Sequence, residues 1–149
     1  MDKQEVRDLL DKMGALESSD SDLSINARAL MADPIVSNKL AVELLQKVDR
    51  ESKPELVLSL PGIDSYFAYN VALSAWMRFG ICETLDQEVS ASLSVKKNEK
   101  VVIVLDTYNE AIAQKIISFV ESKNAKVVAV LSLVGSDTSI GKIPCHCLI

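Results

Sequence analysis

Val101-Val102-Ile103-Val104-Leu105-Asp106-Thr107-Tyr108-Asn109-Glu110-Ala111-Ile112-Ala113 decides the fold class of this chain. A continuous apolar run ends in an acid. Such a run reads as a strand covered on both faces. A short polar stretch then opens a helix from about Asn109 to Lys123, with Ile112, Ile116, Phe119 and Val120 on one face. Lys126 to Val134 is a second buried strand. A strand, a helix and a strand in that order make a parallel crossover unit.

Working outward, Lys97-Asn98-Glu99-Lys100 reads as a turn before the first strand. From Val89 to Val95, apolar residues alternate with Ser90, Ser92 and Ser94. Period two predicts a half-buried strand near a sheet edge. Tyr66 to Phe79 is rich in alanine and large apolar residues and predicts a buried helix stopped by Gly80. Leu56 to Leu60 is a short apolar strand, ended by Pro61-Gly62. Asp33-Pro34 opens a helix with the stripe Leu40, Ala41, Leu44, Leu45 and Val48; proline costs least in a first turn. Glu17 to Asp22 reads as a polar, acidic loop. Val6, Leu9, Leu10 and Met13 mark a first helix that Gly14 ends. Ile143 to Ile149 predicts a short terminal strand. The expected architecture is a mostly parallel open α/β sheet flanked by helices, with residues 1–149 as a single domain.

Composition narrows the function classes. The chain has 149 residues and a formal net charge of −5. No basic stripe is present for a phosphate backbone, so nucleic acid is not an expected partner. No apolar run approaches the roughly 18 residues of a membrane span, so no membrane is expected either. The charged N-terminus resembles no signal peptide. Three cysteines, Cys82, Cys145 and Cys147, make no disulfide framework and suit a reducing, cytoplasmic setting.

In open parallel sheets, ligands sit beyond the carboxyl ends of the strands. Two such ends are readable: Leu60-Pro61-Gly62-Ile63-Asp64 and the stretch from Asp106 to Ala113. With Ile25 to Pro34, Ala125 to Val130 and Ile143 to Ile149, their order and spacing resemble the type I phosphoribosyltransferases, and among them orotate phosphoribosyltransferase. That family joins a base to the ribose of phosphoribosyl pyrophosphate. The resemblance makes Leu60, Pro61, Gly62 and Ile63 the pyrophosphate loop. It makes Asp106, Thr107, Asn109, Ala111 and Ala113 the ribose-phosphate positions. It implies a homodimer, and magnesium with phosphoribosyl pyrophosphate if the site is active. No other cofactor is expected.

The departures from the family pattern matter as much. Two adjacent acids hold the ribose in the family; here Leu105 replaces one and Asp106 remains. The loop has no glycine for close backbone approach. Glu110 adds negative charge at a helix N-terminus, where one like-charge pair about 4 Å apart repels by up to ~4 kcal/mol at an effective dielectric near 20. Thr107-x-x-Glu110 has the spacing of a capping box, which would satisfy the helix N–H groups internally. Glu17-Ser18-Ser19 stands where the family has a lysine. Ile81 to Ser94, matching the mobile catalytic loop, holds Glu83, Asp86 and Glu88 and no basic residue. The expectation is a catalytically disabled relative with a binding or regulatory role, its partner a nucleotide or another enzyme. The alternative is an active enzyme making a nucleotide, such as orotidine monophosphate, from a base and phosphoribosyl pyrophosphate.

Other residues have plainer readings. Asp106 serves either a ribose hydroxyl, a solvent-facing strand end, or an N-terminal helix cap. Cys145-His146-Cys147 lacks the about four ligands of a closed zinc site, and strand alternation gives two core cysteines with His146 opposite. Acids near Cys82 disfavour its thiolate. Tyr66, Phe67, Tyr69 and Trp76 default to core packing, with base stacking or a dimer contact as alternatives. Arg78 is placed on the wet side of the helix that holds them.

Overall fold

The computed structural model describes residues 1–19, 22–63 and 65–149. The chain begins with α1 (Lys3–Lys12), fixed by a reciprocal cap in which Asp2 accepts from the Glu5 N–H and Glu5 accepts from the Asp2 N–H. Residues expected to be a loop instead form β1 (Leu16–Ser19) and β2 (Asp22–Ile25), which pair antiparallel. The cause is the alternation Asp22-Leu23-Ser24-Ile25, which sets Leu23 and Ile25 against the core while Asp22 stays exposed. Asp20 and Ser21, part of the same expected loop, lie outside the described residues.

Two helices follow. α2 (Ala27–Ala32) starts at Asn26, whose side chain accepts from the Arg28 and Ala29 N–H groups. α3 (Pro34–Leu45) starts at Asp33, which accepts from Val36, with Pro34 in the first turn as expected. A single 3-10 turn at Arg50–Ser52 leads into β3 (Leu56–Ser59), whose four residues are all buried.

α4 (Ser65–Ser74) ends well before Gly80, and β4 (Arg78–Leu85) runs through that glycine. Trp76 takes φ +57° and the Met77 N–H donates to the Ala72 carbonyl at 2.9 Å, so the helix closes on a left-handed residue. Gly80 fits the strand because a Cβ there would meet the side chains of Leu58 and Leu93 at 3.0 Å. A tight turn with Asp86 and Gln87 both at positive φ joins β4 to β5 (Glu88–Ala91). The strand expected to reach Val95 stops at Ala91, beyond which the chain bends.

The decisive stretch forms as expected. β6 (Lys100–Thr107), α5 (Glu110–Ser122) and β7 (Lys126–Val134) make the crossover. Two short strands close the chain, β8 (Thr138–Ile140), which sequence reading passed over, and β9 (Ile143–Cys147). The main sheet has the order β5-β4-β3-β6-β7-β9-β8, antiparallel only at its two edge pairs. β6 lies at its centre, and successive β6 residues serve opposite faces. Val102 and Val104 join a core with Leu44, Phe67 and Leu131, whereas Val101, Ile103 and Leu105 join one with Ile116 and Val120. α3 and α4 belong to the first face and α5 to the second, so helices cover both sides of the sheet.

Candidate functional site

The carboxyl ends of β3 and β6 lie side by side, because the two strands pair in parallel from Leu56 with Val101 onward. They open onto a cavity of about 260 Å³. Leu105, Asp106 and Thr107 line it from the end of β6, Tyr108 and Asn109 from the link that follows, Ile112 from the first turn of α5, and Ser59 and Leu60 from the end of β3 and the residue after it. Ser24 and Ile25 of β2 close it from the far side. No basic side chain is among these residues. Asp106 is 8% exposed, which corrects the reading of a solvent-facing strand end. The Ser59 hydroxyl donates to the Val104 carbonyl at 2.6 Å, which fastens the two strand ends together.

The start of α5 is capped from within. Asn109, in extended backbone, accepts from the Ile112 N–H at 3.1 Å. The box expected between Thr107 and Glu110 is not formed, because Thr107 still belongs to β6 and the cap falls two residues later. Glu110 is exposed in the first turn. Its repulsion toward an anion therefore drops toward the ~1 kcal/mol of a water-like dielectric.

Tyr108 is held tightly. Its N–H donates to the Val134 carbonyl at 2.8 Å. A Cβ on Gly135 would lie 2.6 Å from the Tyr108 Cβ, so only glycine fits beside it. Burial, with the Cys145 sulfur beside its hydroxyl, pushes the phenol up to about 12.

The remaining positions of the sequence reading disperse. Pro61, Gly62 and Ile63 are exposed and lie outside the cavity lining. Gly62 has φ +88° and its carbonyl accepts from Ser65, at 2.6 Å from the hydroxyl and 3.2 Å from the N–H. Asp64 lies outside the described residues. Ala111 is exposed on the outer side of α5, and Ala113 is buried in the core beneath it. Sequence reading missed Ser24, Ile25, Ser59 and Tyr108; the alternation in β2 was the available signal for the first pair.

No family model and no curated protein matches the sequence. Solved structures do match the fold. Orotate phosphoribosyltransferase from Aeropyrum pernix superposes with a TM-score of 0.69 at 21% identity, over 96% of this chain and 92% of that one. Leishmania donovani UMP synthase gives 0.73 at 16% identity, and adenine phosphoribosyltransferase from Leishmania donovani gives 0.65 at 17%. The chain spans 35% of the UMP synthase and 66% of the adenine enzyme, covering 97% and 86% of itself.

The chain has the type I phosphoribosyltransferase fold. In that fold its β3 and β6 ends form the cavity around Asp106, and the β4–β5 hairpin stands where the sequence resemblance put a mobile loop.

Cys145 and Cys147 are buried on one face of β9 with His146 partly exposed between them. Burial pushes the Cys82 thiol up to about 11 and also raises Cys145 and Cys147. Phe67 is in the core, but Tyr69 is half-exposed with its ring edge-on to Phe79, and Trp76 is 97% exposed. The default of core packing is thus corrected for Trp76, because α4 ends before it. Arg78 is corrected too. It opens β4 and binds Glu99 at 2.7 and 2.9 Å, because that buried carboxylate needs a counter-ion. No helix among the described residues is long and apolar enough to cross a membrane.

Proposed function

We propose that this chain is a phosphoribosyltransferase-fold protein whose sugar-phosphate cradle no longer accepts a polyanion, and that it works by binding rather than by group transfer. The observation that carries this reading is the self-capped start of α5, where Asn109 takes the Ile112 N–H that a phosphate oxygen would need. The cavity beside it supports the same reading, since Asp106 is its one acid and no lining side chain is basic. Magnesium with phosphoribosyl pyrophosphate fits this donor set poorly, because nothing in the lining balances the pyrophosphate charge. A neutral or weakly charged nucleobase or nucleoside suits the cavity better. A homodimer and a partner enzyme both agree with this role, and exposed Tyr69, Leu73 and Trp76 offer apolar surface for either.

Titration calorimetry with phosphoribosyl pyrophosphate and magnesium tests the proposal. The expected result is no measurable heat at micromolar concentrations. Micromolar binding, worth roughly 8 kcal/mol, overturns it. The competing reading, an active transferase, is favoured by Asp106 at the end of β6 and by a fold shared with orotate and adenine phosphoribosyltransferases. It requires pyrophosphate release with orotate or another base, and the absence of any release ends it.

A further inference from the structure

The α5 side of the sheet carries a second groove, distinct from the Asp106 cavity in its lining. It runs between β5 and α5 in two adjoining compartments of about 690 and 420 Å³ that share Val89, Phe119 and Lys123. One wall is a single helical stripe: Gln114, Lys115, Ser118, Phe119, Ser122 and Lys123 recur at i, i+4, i+8 spacings and so share one side of α5. Its only charges are those of the two lysines.

The opposite wall is an open sheet edge. β5 ends the main sheet and, among the described residues, pairs only with β4. The two-residue turn at Asp86-Gln87 makes Leu85 and Glu88 a hydrogen-bonded pair. Hydrogen-bonded and non-bonded pairs alternate along an antiparallel ladder. Thr84 with Val89 and Cys82 with Ala91 are therefore non-bonded pairs, and the N–H and C=O of Val89 and Ala91 point outward. The Ser92 N–H, donating to the Ile81 carbonyl at 2.9 Å, shows the expected alternation. Open edges are normally guarded by charge or proline. β5 has one charge, Glu88 beside the turn; Val89-Ser90-Ala91 and the following Ser92 to Val95 have no charge and no proline.

We infer that β5 is a docking edge for an extended, acidic–apolar segment of a partner protein, which adds as a strand and lays its acids along Lys115 and Lys123. Main-chain bonds to Val89 and Ala91 supply affinity, and the stripe on α5 supplies selectivity. Glu88, at the hairpin end, is the one acid in the groove, so the remainder favours negative side chains. A second copy of this chain is the poorer occupant. Two β5 edges paired about a two-fold would set two lysine-bearing stripes facing each other.

Selection of phage-displayed random dodecapeptides on the full-length chain tests this. The expected winners alternate apolar residues with aspartate or glutamate. Adding a winning peptide should slow hydrogen exchange at the Val89 and Ala91 amides at least tenfold. Lys115→Glu combined with Lys123→Glu should weaken binding at least tenfold, and Ala91→Pro should do the same, since proline is tolerated on an edge but cannot donate. Circular dichroism melting confirms that each variant remains folded. Three results overturn the inference: selection without acidic enrichment, protection at the Asp106 cavity instead of β5, or doubling of mass with protected β5 amides and no peptide.

Discussion

Arg78 and Glu99 form the best-defined ion pair among the described residues. Both nitrogen–oxygen contacts come from one guanidinium nitrogen, and a second nitrogen donates to the Ser94 carbonyl at 3.0 Å. The Glu99 side chain is 4% exposed and also accepts from the Lys96 N–H. Removing the arginine would leave a buried carboxylate with a single neutral donor. Arg78→Ala should therefore cost about 3–5 kcal/mol, read as a fall in the urea midpoint. Glu99→Gln should cost clearly less, because an amide needs no counter-ion there. Residue roles of this kind were poorly legible in the sequence. Arg78 and Glu99 stand 21 positions apart, and nothing local announces their contact. Capping residues were easier, because a cap acts within four residues: Asp33 and Pro34 fell where expected. The start of α5 near Asn109 was legible as well, but its cap was placed two residues early, since Thr107 and Asn109 are both good caps and the length of β6 decides between them.

At the scale of elements, the end of α4 is the most instructive. Alanine-rich and apolar, residues 66–79 have no breaker, so periodicity carries the helix too far. The chain turns instead at Trp76, in a conformation that favours glycine. A non-glycine residue there costs roughly 1–2 kcal/mol. Trp76→Gly should consequently raise stability by about 0.5–1 kcal/mol after the unfolded-state cost of glycine, measurable as a higher urea midpoint. Trp76 is the sole tryptophan, and at 97% exposure its fluorescence should shift little on unfolding. The strands β6 and β7 were legible because burial on both faces demands an unbroken apolar run. β4 was not, because its outer residues Glu83 and Thr84 belong to a hairpin with only one neighbour on the far side.

For the molecule as a whole, acid groups whose ionisation the fold disfavours set the response to alkali. Burial raises Cys82 to about 11, and Cys145 and Cys147 also rise; Tyr108 reaches about 12. A group with a raised folded pKa binds its proton in the folded state after the unfolded chain has lost it. Stability is then full below the unfolded pKa, near 9 for a thiol, and falls as pH climbs through the folded values. Urea midpoints should be flat from pH 7 to 8 and decline steadily from about pH 9 to 11. Replacing Cys82 with alanine should make that decline shallower, whatever it does to the midpoint at neutral pH. β6 is the keel on which both cores rest, yet it is made after α1 to α4 and after its neighbour β3, from which the Ser59–Val104 bond spans 45 residues. While the chain leaves the ribosome, the apolar undersides of α3 and α4 wait without a floor. Chaperone dependence during synthesis should be concentrated in that interval and should end once β6 and β7 have emerged.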